Sequence, residues 1–247
     1  MKIKRLKIEH LRNITGLEFE PQASHNIITG KNGAGKTTLL EAIYLLARAK
    51  SFRTNQRRSP IQNGQDKITL FTELLDHTNN THKLGLSKTP SQINFRLDGS
   101  PVNKLSDLAN TLPVSLITPN SHRLIEDGPD QRRRLLNWGV FHVEHEYKYL
   151  AARLNRTLLQ RNNALRKGTK DLSVWNKSFV EASGLVHTLQ KEYYKLWIIQ
   201  LDKLIKTIDF LKPLSVNFSF GWSKGADLSK SLYLSLIHIS EPTRPLH

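Results

Sequence analysis

Gly30-Lys31-Asn32-Gly33-Ala34-Gly35-Lys36-Thr37 satisfies the spacing G-x-x-x-x-G-K-[ST] in full. Glycines at these positions let successive backbone N–H groups turn toward an anion without obstruction by a Cβ. The start of the helix that should follow adds partial positive charge at the same point. The chemistry this implies is the binding of a nucleoside triphosphate with Mg²⁺. Lys36 is placed to reach the β- and γ-phosphates, and Thr37 to put its hydroxyl on the metal. Thr38 closes the segment, so the expected ATP and Mg²⁺ contacts run from Gly30 to Thr38. A glycine-rich turn before an ordinary helix is the bland reading of the same residues.

The loop needs a strand before it and a helix after it. Asn26-Ile27-Ile28 reads as a short buried strand running into Gly30, and from Lys36 onward Leu39, Leu40, Ile43, Leu46 and Ala47 share one helical face. Two further strands come first. Leu6 and Ile8 alternate with charges, as do Leu17 and Phe19, with a turn expected over Asn13 to Gly16. Ile68 to Phe71, Ile93 to Leu97 closed by Asp98-Gly99, and Val114 to Ile117 read as later strands.

After Pro129 the pattern turns helical. Leu150, Leu154, Leu158 and Leu165 keep helical spacing, Gly168-Thr169 breaks it, and a second helix is expected from about Val174 to Leu211. The two should pack as an antiparallel pair. Val216, Phe218 and Phe220 alternate as a returning strand. The expected division is an ATP-binding lobe over 1–128, a helical lobe over 129–211, the start of a returning β segment over 212–235, and a tail over 236–247. That tail, with two prolines and no period, resembles translated sequencing-adapter DNA and is expected to be non-native.

Composition narrows the partners. The formal net charge is +16, which favours a polyanion, nucleic acid ahead of an anionic membrane surface. No basic amphipathic helix with a bulky aromatic face is evident, so no membrane partner is expected. There is no cysteine, which fits a reducing, cytoplasmic setting and excludes thiolate metal sites. Arg48, Lys50, Arg53, Arg57 and Arg58 form one run without an acid, and Arg153, Arg156 and Arg161 belong to a second basic region that begins at Arg132-Arg133-Arg134. Such patches would neutralise DNA phosphates by counterion release, without reading sequence. A solvated helix face is the alternative for each of them, and for Arg132 to Arg134 a structural or dimer role stands level with a DNA role.

Weaker signals lead elsewhere. Gly221-Trp222-Ser223-Lys224-Gly225 fits G-x-S-x-G, but only His238 and His247 follow, and no acid stands in the order a hydrolase needs. His142 and His145 lack the further ligands of a metal site. A small-molecule phosphotransferase using the same loop is the main functional rival; the two leading strands and the basic charge argue against it. A DNA-binding module in which ATP plays no part is another.

Two antiparallel strands ahead of the loop suit the ABC-like ATPases of chromosome maintenance. Leu11-Arg12-Asn13-Ile14, then Asn32 to Ile43, then Ser51-Phe52-Arg53 resemble the RecF family of bacterial recombination mediators. So do Leu116 to Pro119, Gly128-Pro129, Arg132 to Arg134, Asn137-Trp138-Gly139 and Gln160 to Leu165. The likeness covers roughly residues 1–222. It implies an α/β fold: a P-loop NTPase of the ABC/SMC-like head type, with an antiparallel β-subdomain and a helical second lobe, incomplete here. It further implies DNA binding at duplex and at gapped or single-stranded junctions, an ATP-dependent homodimer, and action with RecO- and RecR-type mediators to load recombinase in DNA repair, replication and the SOS response. Arg12 and Asn13 resemble positions near the nucleotide.

Three elements of that family are not found: a Leu-Ser-x-Gly-Gln signature, an apolar strand ending in paired acids, and the loop after it. Leu74-Leu75-Asp76 is followed by His77, not an acid, and reads as a strand end. Leu105-Ser106-Asp107 and Leu228-Ser229-Lys230 lack the glycine and glutamine. Strand-end acids hold Mg²⁺ and orient the attacking water. No catalytic set is therefore complete, and the expectation is weak ATP binding without hydrolysis.

Overall fold

In a computed structural model the described residues are 1–219 without Ala23, Lys170, Phe210, Leu211 and Pro213. They form two compact units, Met1–Asn120 and the residues from Ser121 onward.

The first unit is a twisted antiparallel sheet with a helix laid on one face. Its strands are β1 (Lys2–Leu11), β2 (Ile14–Phe19), β3 (Ile68–Leu75), β4 (Thr81–Lys88), β5 (Ile93–Leu97) and β6 (Ser100–Pro101), ordered β2-β1-β3-β4-β5-β6. β3 shows why it sits in the middle. Ile68, Leu70, Thr72 and Leu74 are buried and the residues between them are not. That period of two puts one apolar face toward the core. Thr72, the polar member of the face, donates its hydroxyl to the Arg5 carbonyl at 2.9 Å, so its burial is compensated. Leu6 and Ile8 of β1 and Leu84 and Leu86 of β4 continue the same face.

The helix α1 (Lys36–Arg48) covers this face with Leu39, Ala42, Leu45 and Leu46, and α2 (Leu105–Thr111) adds Leu108. Leu45, Leu46 and Leu108 have no exposed surface. α1 ends where Ala49 turns left-handed at φ 58° and its N–H returns to the Leu45 carbonyl at 2.9 Å.

Several expectations are corrected here. The first turn is tighter than Asn13 to Gly16: it consists of Arg12 and Asn13, and Gly16 lies within β2 opposite Glu9. Asn26 to Ile28 forms no strand, and Ile27 is 90% exposed. Val114 to Ile117 forms none either, with Ile117 88% exposed. Both segments have strand-like composition, but strands persist through pairing, and among the described residues neither has a ladder partner. β4 went unpredicted because Thr81 to Lys88 holds only two large apolar residues; pairing with β3 on one side and β5 on the other imposes the conformation. The Asp98-Gly99 hairpin is present, with both residues at positive φ (50° and 84°) as a two-residue turn of mirror-image type requires.

At the ends of the hairpins His82 stands between two acids. Its Nδ1 is 2.8 Å from Asp98 and its Nε2 is 3.6 Å from Asp76. The hydrogen bond with Asp98 holds the imidazole pKa above its ordinary value, and the same contact holds Asp98 below its own. Asp76 is depressed mainly by the Thr78 hydroxyl. The signs fix a window. A raised histidine contributes fully below its unfolded pKa and loses that contribution as pH rises through the folded one; depressed acids lose theirs on acidification. The hairpin ends should therefore be tightest between about pH 4 and about 6.5. Exchange of the Lys83 amide, which donates to Asp98 at 2.7 Å, should quicken, beyond its intrinsic pH dependence, above that window. A His82→Gln variant that keeps the same pH profile would refute this.

The second unit is helical: α3 (Arg123–Glu126), α4 (Pro129–Val143), α5 (Tyr147–Arg166) and α6 (Ser173–Lys206). Pro129 occupies the first helical position of α4, where its missing N–H costs nothing. Gly168, at φ 70°, breaks the chain between α5 and α6. Arg161 contacts Asn176 and Arg153 contacts Glu181, a rising-against-falling order that makes α5 and α6 antiparallel, as expected. α6 ends at Lys206, short of the expected Leu211. Among the described residues 214–219 there is no strand, contrary to the alternation of Val216 and Phe218. Phe218 instead lies 5.2 Å from the Tyr194 ring, whose hydroxyl donates to the Val216 carbonyl. Phe220, the G-x-S-x-G segment, Leu228 to Lys230 and the tail over 236–247 lie outside the described residues.

Val140, Tyr147 and Val186 centre the core of this unit. Gly139 is what lets α4 approach α6. A Cβ there would overlap the Tyr193 hydroxyl oxygen and its Cζ. Gly139→Ala should therefore force Tyr193 out and cost about 1–3 kcal/mol by urea denaturation. Adding Tyr193→Leu should recover part of the loss, and no recovery would rule out this contact as its source.

Candidate functional site

The segment Gly30 to Gly35 wraps the N-terminus of α1. Gly30, Gly33 and Gly35 have φ of 146°, 81° and 94°, a region that side chains other than glycine's rarely enter. Gly35 is the residue at the cap. No side chain caps the helix, and its first turn holds no acid. The amides there remain available to an anion, and the helix dipole favours one.

Lys36 folds back over the loop. Its Nζ donates to the Gly30 carbonyl at 2.7 Å and the Lys31 carbonyl at 2.9 Å. The ammonium thus sits at the mouth of the cradle. Ala34 N–H donates to the Lys31 carbonyl at 3.2 Å, closing the turn through Asn32 and Gly33. Thr37 is exposed next to Lys36, and Thr38 is buried. These are the groups a Mg²⁺–nucleotide needs: glycines at positive φ, an uncapped helix start, one ammonium and one exposed hydroxyl. The residues fit such a ligand.

Arg12 and Asn13 take different parts. The Asn13 side chain donates to the Gly33 carbonyl at 2.6 Å and accepts the Thr38 hydroxyl at 2.9 Å, so it clamps the loop from outside. A Cβ on Gly35 would lie 3.3 Å from Ile14 and 3.4 Å from Asn13, which shows how closely this turn lies against the loop. Arg12 points to Glu41 instead. Its Nε and Nη2 reach the two carboxylate oxygens at 2.5 and 2.8 Å, and its Nη1 lies 3.5 Å from the Ser59 carbonyl. All three nitrogens are engaged within the protein, so Arg12 supports the turn that carries Asn13.

Glu41 escaped sequence reasoning. It has no exposed surface and also accepts the Ser51 hydroxyl at 2.5 Å, with Arg53 Nη1 at 3.5 Å. A signal existed: Glu41 is three residues from Thr38 and four from Leu45, on the buried stripe of α1. An acid on such a stripe requires a counter-charge.

The structure separates the basic residues. Lys50, Arg57, Arg58 and Arg156 are exposed. Arg48 lies 3.5 Å from the Val114 carbonyl, Arg53 is drawn to Glu41, and Arg153 pairs with Glu181 at 3.0 Å. Arg161 is 7% exposed, donates to Asn176 at 2.8 Å and lies over the Phe179 ring. The guanidinium fastens α5 to α6. Arg132 donates to the carbonyls of Leu124, Ile125 and Asp127 and so secures α3. Near Arg57, burial pushes the Lys88 ammonium pKa down, with the Arg57 charge adding to the effect. No described helix is long and apolar enough to cross a membrane.

Comparison with known proteins gives a consistent result. The family model described as the RecF/RecN/SMC N terminal domain matches residues 2–236. The DNA replication and repair protein RecF of Pseudoalteromonas translucida (strain TAC 125) is 36% identical over 241 residues, 95% of this chain and 66% of that protein. RecF of Shewanella denitrificans (strain OS217) is 36% identical over 93% of this chain and 64% of its own length. The chain therefore spans just under two thirds of the length of these relatives. A solved structure of the recombination mediator protein RecF with ATP in the RecFOR pathway superposes with a TM-score of 0.75 at 19% identity, covering 98% of this chain and 70% of that one. A second RecF structure in that pathway gives 0.73 at 20% identity, over 84% and 58%. The likeness shows a shared α/β head fold.

Proposed function

The chain belongs to the RecF/RecN/SMC N-terminal domain family, and from that premise we propose that it is an ATP-binding, DNA-binding protein of replication and recombinational repair. The observation that carries the reading is the phosphate loop: glycines at positive φ, Lys36 over the mouth, and Asn13 clamping the outside. The β- and γ-phosphates would take the loop amides and the Lys36 ammonium, which exchanges its two carbonyl partners for phosphate oxygens. Thr37 would hold Mg²⁺, whose part is to neutralise charge between the phosphates.

These residues bind rather than cleave. The first carboxylate after the loop, Glu41, is committed to Arg12, Ser51 and Arg53, so it offers no base to a water at the γ-phosphate. Binding energy is then available for association. An ATP-dependent homodimer, with the RecO- and RecR-type partners of the RecFOR pathway, completes the proposed role in the cytoplasm.

DNA contact is assigned to the exposed cations Lys50, Arg57, Arg58 and Arg156. Fluorescence anisotropy with a duplex of arbitrary sequence tests it. Affinity should fall steeply with salt, and Arg57→Glu with Arg58→Glu should flatten the log–log slope by about 1 per lost contact. A slope unchanged by both substitutions would overturn that placement. Retention of a fluorescent ATP analogue by the same chain tests the nucleotide half.

A further inference from the structure

The phosphate loop is held from a distance by a buried acid. We propose that Glu41 is a positioning residue for the loop, acting through Arg12 and Asn13; this rests on the nucleotide-binding reading above. Glu41 has no exposed surface, yet it lies on the same helix that the loop opens. Its two oxygens take Arg12 Nη2 at 2.8 Å and Nε at 2.5 Å. This forked pair fixes the guanidinium plane as well as its place.

The fork matters because of where Arg12 lies in the backbone. Arg12 has φ 52°, a left-handed conformation that arginine seldom adopts. It forms a two-residue turn with Asn13, anchored by the Arg12 N–H on the Pro60 carbonyl at 2.9 Å. That conformation aims Asn13 at the loop. Asn13 then holds the Gly33 carbonyl at 2.6 Å, while the N–H of the same peptide unit, on Ala34, bonds the Lys31 carbonyl at 3.2 Å. The Gly33–Ala34 peptide is pinned at both ends and cannot flip freely. Thr38 returns the path to α1 through its hydroxyl on Asn13. The chain of contacts is closed: α1, Glu41, Arg12, Asn13, the loop, and α1 again.

Glycine-rich loops gain affinity by being ordered before the ligand arrives, because the ordering cost is then already met. Glu41 supplies that order from the core. Ser51, which also accepts the amides of Arg53 and Thr54 at 3.0 and 3.2 Å, ties the segment after α1 to the same carboxylate.

Hydrogen exchange of the nucleotide-free, full 247-residue chain tests the inference, with Glu41→Gln, Asn13→Ala and the double variant. Each single change should speed exchange of the Ala34 amide, the loop N–H that donates to the Lys31 carbonyl, about tenfold, equivalent to losing one hydrogen bond. The double variant should add little to the faster single one, because both act on one path. Mg–ATP affinity should fall by a similar factor. Additive exchange rates, or loop exchange unchanged in a folded Glu41→Gln chain, would overturn the proposal. If Glu41→Gln does not fold, Arg12→Lys, which keeps the charge but lacks the fork, takes its place in the same cycle with the same criteria. The nucleotide reading fails separately: a wild-type chain that retains no Mg–ATP sinks that reading, while the exchange cycle, run without nucleotide, still decides the role of Glu41.

Discussion

Arg12→Ala lowers the stability of the Met1–Asn120 unit by about 3 kcal/mol. The reason is an asymmetry. A buried ion pair contributes little net stability against a well-packed apolar pair, but removal of one partner leaves the other charged and dry. Glu41 is fully buried and Arg12 is its forked partner. Losses from such broken pairs run to about 5 kcal/mol, and the lower end applies because Arg53 remains 3.5 Å away and the Ser51 hydroxyl still donates. Domain stabilities are about 5–15 kcal/mol in total, so the variant should be visibly fragile at 37 °C. Urea denaturation measures it. The double variant Arg12→Ala with Glu41→Leu should be more stable than Arg12→Ala alone, since it removes the stranded charge. A single-variant loss below about 1 kcal/mol, the ordinary value of an exposed pair, would show that the carboxylate is not held as described.

Lys36→Ala produces the other large change, in ligand affinity rather than stability. Among the described residues the Lys36 side chain bonds loop carbonyls, and the loop is largely exposed. Its removal should shift unfolding by less than about 0.5 kcal/mol, as surface changes usually do. A charge-assisted bond to phosphate contributes about 1.5–3 kcal/mol, and Lys36 can reach more than one oxygen. ATP affinity should therefore fall about 100-fold, read by titration of a fluorescent analogue, while the DNA binding proposed for Arg57 and Arg58 should be unchanged. Nucleotide affinity within twofold of the wild type would exclude Lys36 from the phosphate site.

Some of this was legible in the sequence and some was not, and the division is physical. The phosphate loop could be read because its residue types are dictated locally: glycines for φ and a lysine for charge. β1, β2 and β3 were legible because Leu6 and Ile8, Leu17 and Phe19, and Ile68 and Leu70 recur at every second position of their strands. β4 was not, because its conformation comes from its two neighbours rather than from its own side chains. The segments at Ile27 and Ile117 show the reverse case, with strand composition and no partner among the described residues. The partners of Arg12 and Arg161 were not legible for a shared reason. Sequence shows a cation but not the distant group that claims it, and here Glu41 lies 29 positions from Arg12 and Asn176 lies 15 from Arg161.

Ile27 and Ile117, exposed at 90% and 88%, bear on the colloidal behaviour of the protein. At low ionic strength a net charge of +16 keeps molecules apart. Added salt shortens the range of that repulsion to about 3 Å at 1 M, while apolar contact is undiminished. The ionic strengths that would weaken the proposed DNA contacts thus also remove most of this repulsion, and loss of DNA signal in a salt titration is a measure of dissociation only where light scattering stays flat.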